Sequence, residues 1–222
     1  RLQHCRNRRA NMRQAPIRLL CAERLMEEVR SAGAVLDVGS GGRRLAPHVC
    51  TTDVVPRANV DCVADVCRGL PHPDESFDLV ICTSVLEHVA DERAALNEIL
   101  RVTRRGGRIW IDVPFLYHFH VSSAGDTADY RRWTLEGCKA MLPGCKLLDY
   151  GHNVGPATAL RLMASEVLAQ PFHRDRHEGA YYLVRSILGW VLYPLSWLDV
   201  LCMRRSVSYR ASGGFWLVAQ RC

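Results

Sequence analysis

The chain has no C-x-x-C pair, and its ten cysteines are scattered rather than grouped with histidines over 222 residues. That excludes the zinc-ribbon and thioredoxin-like readings and leaves no firm metal site, although carboxylates near His88 keep a divalent ion open. Cys82 and Cys202 lie inside apolar runs, where a free thiol packs as a small hydrophobe. No apolar stretch opens the sequence, so a secretory leader is not expected and a reducing, cytoplasmic setting is. An Asn/Asp-Pro-Pro-aromatic tetrad of the kind that clamps a base is missing, as is any aromatic-basic stacking platform, which argues against a nucleic-acid partner. The nucleotide fingerprint G-x-G-x-x-G fails too: Gly39 and Gly41 fit, but Arg44 holds the third place.

Among what is present, 48% hydrophobic composition is enough to bury a full core as one domain with a subdomain. The net charge of +6 favours an anionic substrate or surface, and much of it sits in Arg1, Arg6, Arg8, Arg9 and Arg13. Residues 1–15 therefore read as a basic, solvated arm. Pro16–Ala32 is helix-like, with Ile17, Cys21, Leu25 and Val29 at four-residue steps. Val-, Ile- or Leu-rich strands are expected at 34–38, 49–54, 60–64, 77–83 and 107–113. A helix between the last two starts on the N-cap Asp91 and ends at Gly106-Gly107.

Continuous apolar strands alternating with helices predict an α/β fold: a Rossmann-like, doubly wound, seven-stranded, mostly parallel sheet. The stretch from Gly41 to Asp53, interrupted by Pro47, leaves room only for a stub helix. Strand-like Cys145–Tyr150 and Phe215–Gln220 bracket a helical insertion. The expected domains are thus a core over 16–154, an insertion or substrate lid over 155–210, and a last strand within 211–222. The insertion holds the most apolar run, Ser186–Met203. Gly189, Pro194 and Asp199 inside it disfavour a membrane span, so two short helices broken at Pro194 and covering the substrate site are expected. Peripheral membrane contact through 186–203 is the alternative.

The residues that carry chemistry stand at strand ends, where parallel folds build ligand sites. In Val35-Leu-Asp-Val-Gly-Ser-Gly-Gly42 a buried strand delivers bare backbone to a ligand. A pyrophosphate wants N–H groups and no adjacent anion, whereas Asp37 would repel phosphate and suit a cationic amino-acid end, as in S-adenosylmethionine. Asp53 ends the second strand, with two acceptor oxygens for two ribose hydroxyls. Asp65-Val66 ends the third, with a carboxylate for the adenine amine. The fourth ends Cys82-Thr-Ser-Val-Leu-Glu-His-Val89, offering backbone carbonyls and an imidazole.

Together with DESFDLVICTSVLEHVAD and NEILRVTRRGGRIWIDVPF, these segments resemble the class I S-adenosylmethionine-dependent methyltransferases of the small-molecule branch, over about residues 34–115. The resemblance implies that Asp37 and the loop Gly39, Ser40, Gly41 hold the methionine end. It places Asp53 with Val54 at the ribose, Asp65 with Val66 at the adenine, and the Thr83 backbone near the methyl group. The chain departs from the family at Arg43, where many members have a third loop glycine, and in its short first crossover. His118, His120, Asp126 and Asp129-Tyr130-Arg131-Arg132-Trp133-Thr134 resemble, more loosely, enzymes of glycan and secondary-metabolite assembly.

Methyl transfer is an in-line displacement that needs alignment and exclusion of water. A hydroxyl nucleophile must also lose its proton, and His88 is the first candidate base, with His118, His120 and Asp126 as the second set. Glu87, Tyr130, Arg131 and Trp133 are expected on the acceptor side. Arg131 or Arg132 either pairs with Asp129 or receives a substrate phosphate or carboxylate. The expected acceptor is a small molecule or a glycan- or lipid-linked one, with O-methylation as the reaction; the alternatives are a nucleic-acid methyltransferase or a non-catalytic scaffold of the same fold.

Overall fold

In the computed structural model, residues 17–120, 128–173, 179–203 and 206–222 are described. The expected basic arm and Asp126 lie outside them. The chain divides into two compact units. One comprises Ala22–Phe115, Phe119–Gly151 and Phe215–Cys222; the other comprises the described residues up to Cys21, Leu116–His118 and His152–Gly214.

The first unit is built on a seven-stranded sheet. Its strands are β1 (Val35–Val38), β2 (Val49–Asp53), β3 (Cys62–Val63), β4 (Phe77–Thr83), β5 (Thr103–Pro114), β6 (Cys145–Val154) and β7 (Gly214–Arg221). The order is β3-β2-β1-β4-β5-β7-β6. The pairs β1–β2, β1–β4, β2–β3 and β4–β5 are parallel, and the C-terminal strands form an antiparallel pair. This is the Rossmann-like, mostly parallel sheet that the strand pattern predicts. All four residues of β1 are buried, as a strand flanked on both edges requires. Helix α1 (Ile17–Ser31) buries Cys21, Leu25 and Val29, and helix α2 (Glu92–Val102) buries Ala95, Leu96, Ile99 and Val102. Trp110 and Trp216 stack at 4.8 Å between ring centroids.

Local chemistry sets the ends of these elements. The Asp91 carboxylate accepts the Ala94 N–H at 2.9 Å and starts α2. The helix stops at Val102, four residues before Gly106, because Thr103 turns extended and its hydroxyl donates to the Ile99 carbonyl at 2.6 Å. Strand β3 is only two residues long. Helix α3 (Leu135–Ala140) starts on Thr134, whose hydroxyl accepts the Gly137 N–H at 3.1 Å.

The expected stub helix between β1 and β2 does not form. Only residues 39–48 join the two strands, and they run as turns. A parallel crossover normally takes a dozen residues or more, and here Gly41 and Gly42 both adopt positive φ (63° and 81°) while Pro47 removes a donor. Arg44, at the place of the third fingerprint glycine, replaces helix packing with a fork. Its guanidinium donates to Asp61 at 2.6 and 3.0 Å and to the Val49 carbonyl at 2.6 Å.

The second unit is helical: α4 (Pro156–Ala169), α5 (Gly179–Val191), α6 (Asp199–Cys202) and intervening 3₁₀ turns. The apolar run breaks at Leu192, directly before the 3₁₀ turn Tyr193–Leu198 that contains Pro194. Asp199 is buried because it caps α4. Its carboxylate accepts the Ala157 N–H at 2.6 Å, the Thr158 N–H at 3.2 Å and the Thr158 hydroxyl at 2.5 Å. Position 155 must stay glycine for this, since a Cβ there would sit 2.3 Å from the Asp199 carboxyl carbon. His152 is held between the hydroxyls of Ser212 (2.8 Å) and Ser208 (3.0 Å), and burial pushes its imidazole down to about 4. No described helix is long and apolar enough to cross a membrane.

Candidate active site

The chain leaves β1 toward β2 on one side, while its other neighbour, β4, leads to β5 on the opposite side. At such a switch point the loops diverge beyond the carboxyl ends of the strands and leave a crevice. A cavity of about 580 Å³ lies there within the first unit, walled by Gly39, Gly41, Asp53, Val54, Asp65, Val66, Ser84, Val85, His88 and His120, among others.

The β1 loop is shaped by close approach. Gly39 has φ +68°, and a Cβ on it would fall 2.3 Å from a Val85 methyl, so the loops after β1 and β4 touch only because position 39 has no side chain. Asp53 is 8% exposed, with Oδ2 accepting the Gly41 N–H at 2.7 Å and Oδ1 the Val55 N–H at 2.9 Å. Each oxygen retains a second lone pair, enough for two hydroxyl donors. Asp65 accepts the Cys67 N–H at 2.9 Å and pairs with Arg68 at 3.3 Å.

Asp37 lies behind this wall rather than in it. It is fully buried, Oδ2 is 3.4 Å from Arg43, and Oδ1 has no partner. Burial pushes its carboxyl up to about 6, against the pull of Arg43 and with a push from Asp53. A buried acceptor without a donor is costly, and a cationic ligand group is what would relieve it. Ser40 and Thr83 are also absent from the wall. The Ser40 hydroxyl accepts the Gly42 N–H at 3.4 Å, and the Thr83 hydroxyl is buried without a partner.

At the other end of the cavity, His88 and His120 meet edge-to-face at 4.9 Å. His88 Nδ1 lies 3.1 Å from the Ala128 carbonyl, and His120 Nδ1 lies 3.3 Å from Asp129 Oδ2. Burial pushes Asp129 up, but the Arg132 fork and the His120 N–H hold it below the usual carboxylate range. Glu87, beside His88, is 1% exposed, and burial pushes its carboxyl up to about 8.

The expected acceptor residues are placed elsewhere. Arg131 donates to the Val89 and Ala90 carbonyls at 3.0 and 2.9 Å, bracing the turn after β4. The Trp133 indole N–H donates to Glu92 at 3.1 Å, and Tyr130 is 53% exposed. None of the three lines the cavity, nor does Glu87. The guanidinium groups of Arg131 and Arg132 are therefore engaged within the protein, not presented to a substrate anion. His118 belongs to the second unit, where Arg185 donates to its Nε2 at 3.0 Å. Sequence reasoning missed Ser84 and Val85, which follow β4 directly and were open to the strand-end rule. It also missed Arg57 and Arg68, whose place in the wall has no sequence signal.

Residues 36–111 match the sequence pattern of the methyltransferase domain family. Those residues carry a methyltransferase domain. An uncharacterised methyltransferase, YcgJ, of Bacillus subtilis is 28% identical over 149 residues, 54% of this chain and 59% of that protein. The chain thus spans less than two thirds of that relative's length. Two solved structures share the fold of the domain at a TM-score of 0.53. Coclaurine N-methyltransferase bound to N-methylheliamine and S-adenosylhomocysteine is 12% identical, covering 92% of this chain and 72% of its own. The [4+2]-cyclase SpnF is 19% identical, covering 90% and 79%. The cofactor of the methyltransferase family is S-adenosylmethionine, and the residues here fit it: a glycine turn with Asp53 and Asp65 in the wall, and the unpartnered carboxylate oxygen of Asp37 behind it.

Proposed function

We propose that this chain transfers a methyl group from S-adenosylmethionine to a hydroxyl of a small-molecule acceptor such as a sugar, glycolipid or secondary-metabolite scaffold. The observation that carries this reading is the one cavity shared by Gly39, Asp53, Asp65 and the His88–His120 pair. The bound cofactor supplies an electrophilic methyl on a sulfonium. Asp37 and the Gly39–Gly41 turn receive its amino-acid end, Asp53 its ribose hydroxyls and Asp65 with Val66 its adenine. The imidazole pair supplies the base in this reading, because both rings line the same cavity. With the cofactor bound, an imidazole nitrogen of His88 or His120 would take the hydroxyl proton as the methyl passes from sulfur to oxygen, and the Ala128 carbonyl or Asp129 carboxylate behind it would steady the charge.

Calorimetric titration with S-adenosylmethionine tests the reading. Wild-type protein is expected to bind one equivalent, and Asp53→Ala to bind at least about tenfold more weakly, roughly 1.4 kcal/mol. Equal affinity in the two proteins would remove Asp53 from the site, and no binding by the wild type would end the assignment.

A further inference from the structure

Glu87, His88 and His120 bring one ligand atom each within 4.8 Å of one another. Two imidazoles and one carboxylate are a donor set for a divalent first-row ion of borderline softness, not for magnesium or calcium, which prefer oxygen alone. Proximity by itself would not suffice, but two independent features point the same way. Glu87 is 1% exposed and its Oε2 has no hydrogen-bond partner, so a carboxylate oxygen is buried with nothing to satisfy it. Each imidazole also has an oxygen behind Nδ1: the Ala128 carbonyl at 3.1 Å for His88 and the Asp129 carboxylate at 3.3 Å for His120. Metal-ligating histidines carry this backing, which fixes the ring and raises the basicity of Nε2.

We propose that Glu87, His88 and His120 bind a divalent transition-metal ion of the zinc class at the acceptor end of the cavity. Three protein ligands leave coordination positions open, as in catalytic rather than structural metal sites. An acceptor hydroxyl oxygen can take one of them. With the ion bound, the two imidazoles would act as its ligands instead of as the base, and the lowered pKa of the hydroxyl would let its proton leave to solvent before the oxygen takes the methyl group. The role in turnover rests on the methyl-transfer reading; the binding of the ion does not.

The test is a Co²⁺ titration of chelator-treated protein, followed by visible absorption, with Zn²⁺ titrated in parallel by calorimetry. One equivalent is expected to bind, with d–d bands and without thiolate charge transfer, which separates this site from the cysteines. Glu87→Gln and His120→Ala are each expected to weaken binding at least tenfold, while Asp53→Ala keeps wild-type metal affinity. Circular dichroism reports whether Glu87→Gln folds, and His120→Ala, at a residue in the cavity wall, carries the test if it does not. Binding that is absent, thiolate-based or unchanged in these variants would overturn the proposal. S-adenosylmethionine titration of the chelated protein keeps the two readings apart, since loss of cofactor binding would sink methyl transfer and leave the metal site standing.

Discussion

Asp37 and Glu87 in the first unit and Asp199 and His152 in the second are all buried titratable groups, but their surroundings treat them in opposite ways. In the second unit, Asp199 is saturated by three donors from the start of α4 and His152 is held between two serine hydroxyls. In the first, one oxygen of Asp37 and one of Glu87 have no partner although both residues are almost wholly buried. An acid inside an apolar run is scaffolding when its acceptor capacity is filled. Near a cavity with capacity left over, it marks a place for a ligand.

The contrast can be broken by substitution. Asp199→Ala should be the most damaging, at about 3 to 4 kcal/mol, because two buried N–H groups and a hydroxyl lose their acceptor. Denaturant unfolding measures it, and S-adenosylmethionine affinity in native buffer should stay at the wild-type value. His88→Ala should show the reverse pattern: stability within about 1 kcal/mol of wild type, cofactor affinity kept, and turnover lowered about 100-fold, roughly 2.7 kcal/mol. Unchanged turnover would move the proton-removing machinery away from this residue.

The third expectation concerns pH. The folded-state pKa of His152 is about 4, against 6.5 for an ordinary imidazole, so protons bind the unfolded chain more readily. Its contribution is present above pH 6.5 and declines as pH falls toward 4. Stability should drop by about 2 kcal/mol between pH 6.5 and 4.5, and His152→Gln should flatten that part of the curve. The smallest effect expected is from Thr134→Ala, which removes the cap of α3 at about 1 kcal/mol and should leave cofactor and metal titrations unaltered.

The sheet was legible because buried parallel strands leave apolar runs, and part of the cavity wall was legible because Asp53 and Asp65 close such runs. What could not be read depends on distant partners. Nothing in the spacing of Arg131 shows that it meets the carbonyls of Val89 and Ala90 some forty residues earlier, so it passed for a substrate contact. Asp199 inside the apolar run argued only against a membrane span, since its cap on α4 comes from residues some forty positions earlier. The absent first helix was half visible: the shortness of the link could be counted, but not the two consecutive left-handed glycines that prevent even one turn.

That turn-only link also decides what the crevice turns away. Dinucleotide folds welcome a diphosphate at the positive pole of a helix that begins where the glycines end. Here no such pole follows Gly42, and the Gly41 N–H is already given to Asp53. A diphosphate at this turn would therefore face Asp53 and Asp65 with no helix pole behind it, Arg57 and Arg68 being the cations in the wall. On the proposed function, leaving a structural element out would favour an adenosine compound that carries no phosphate chain.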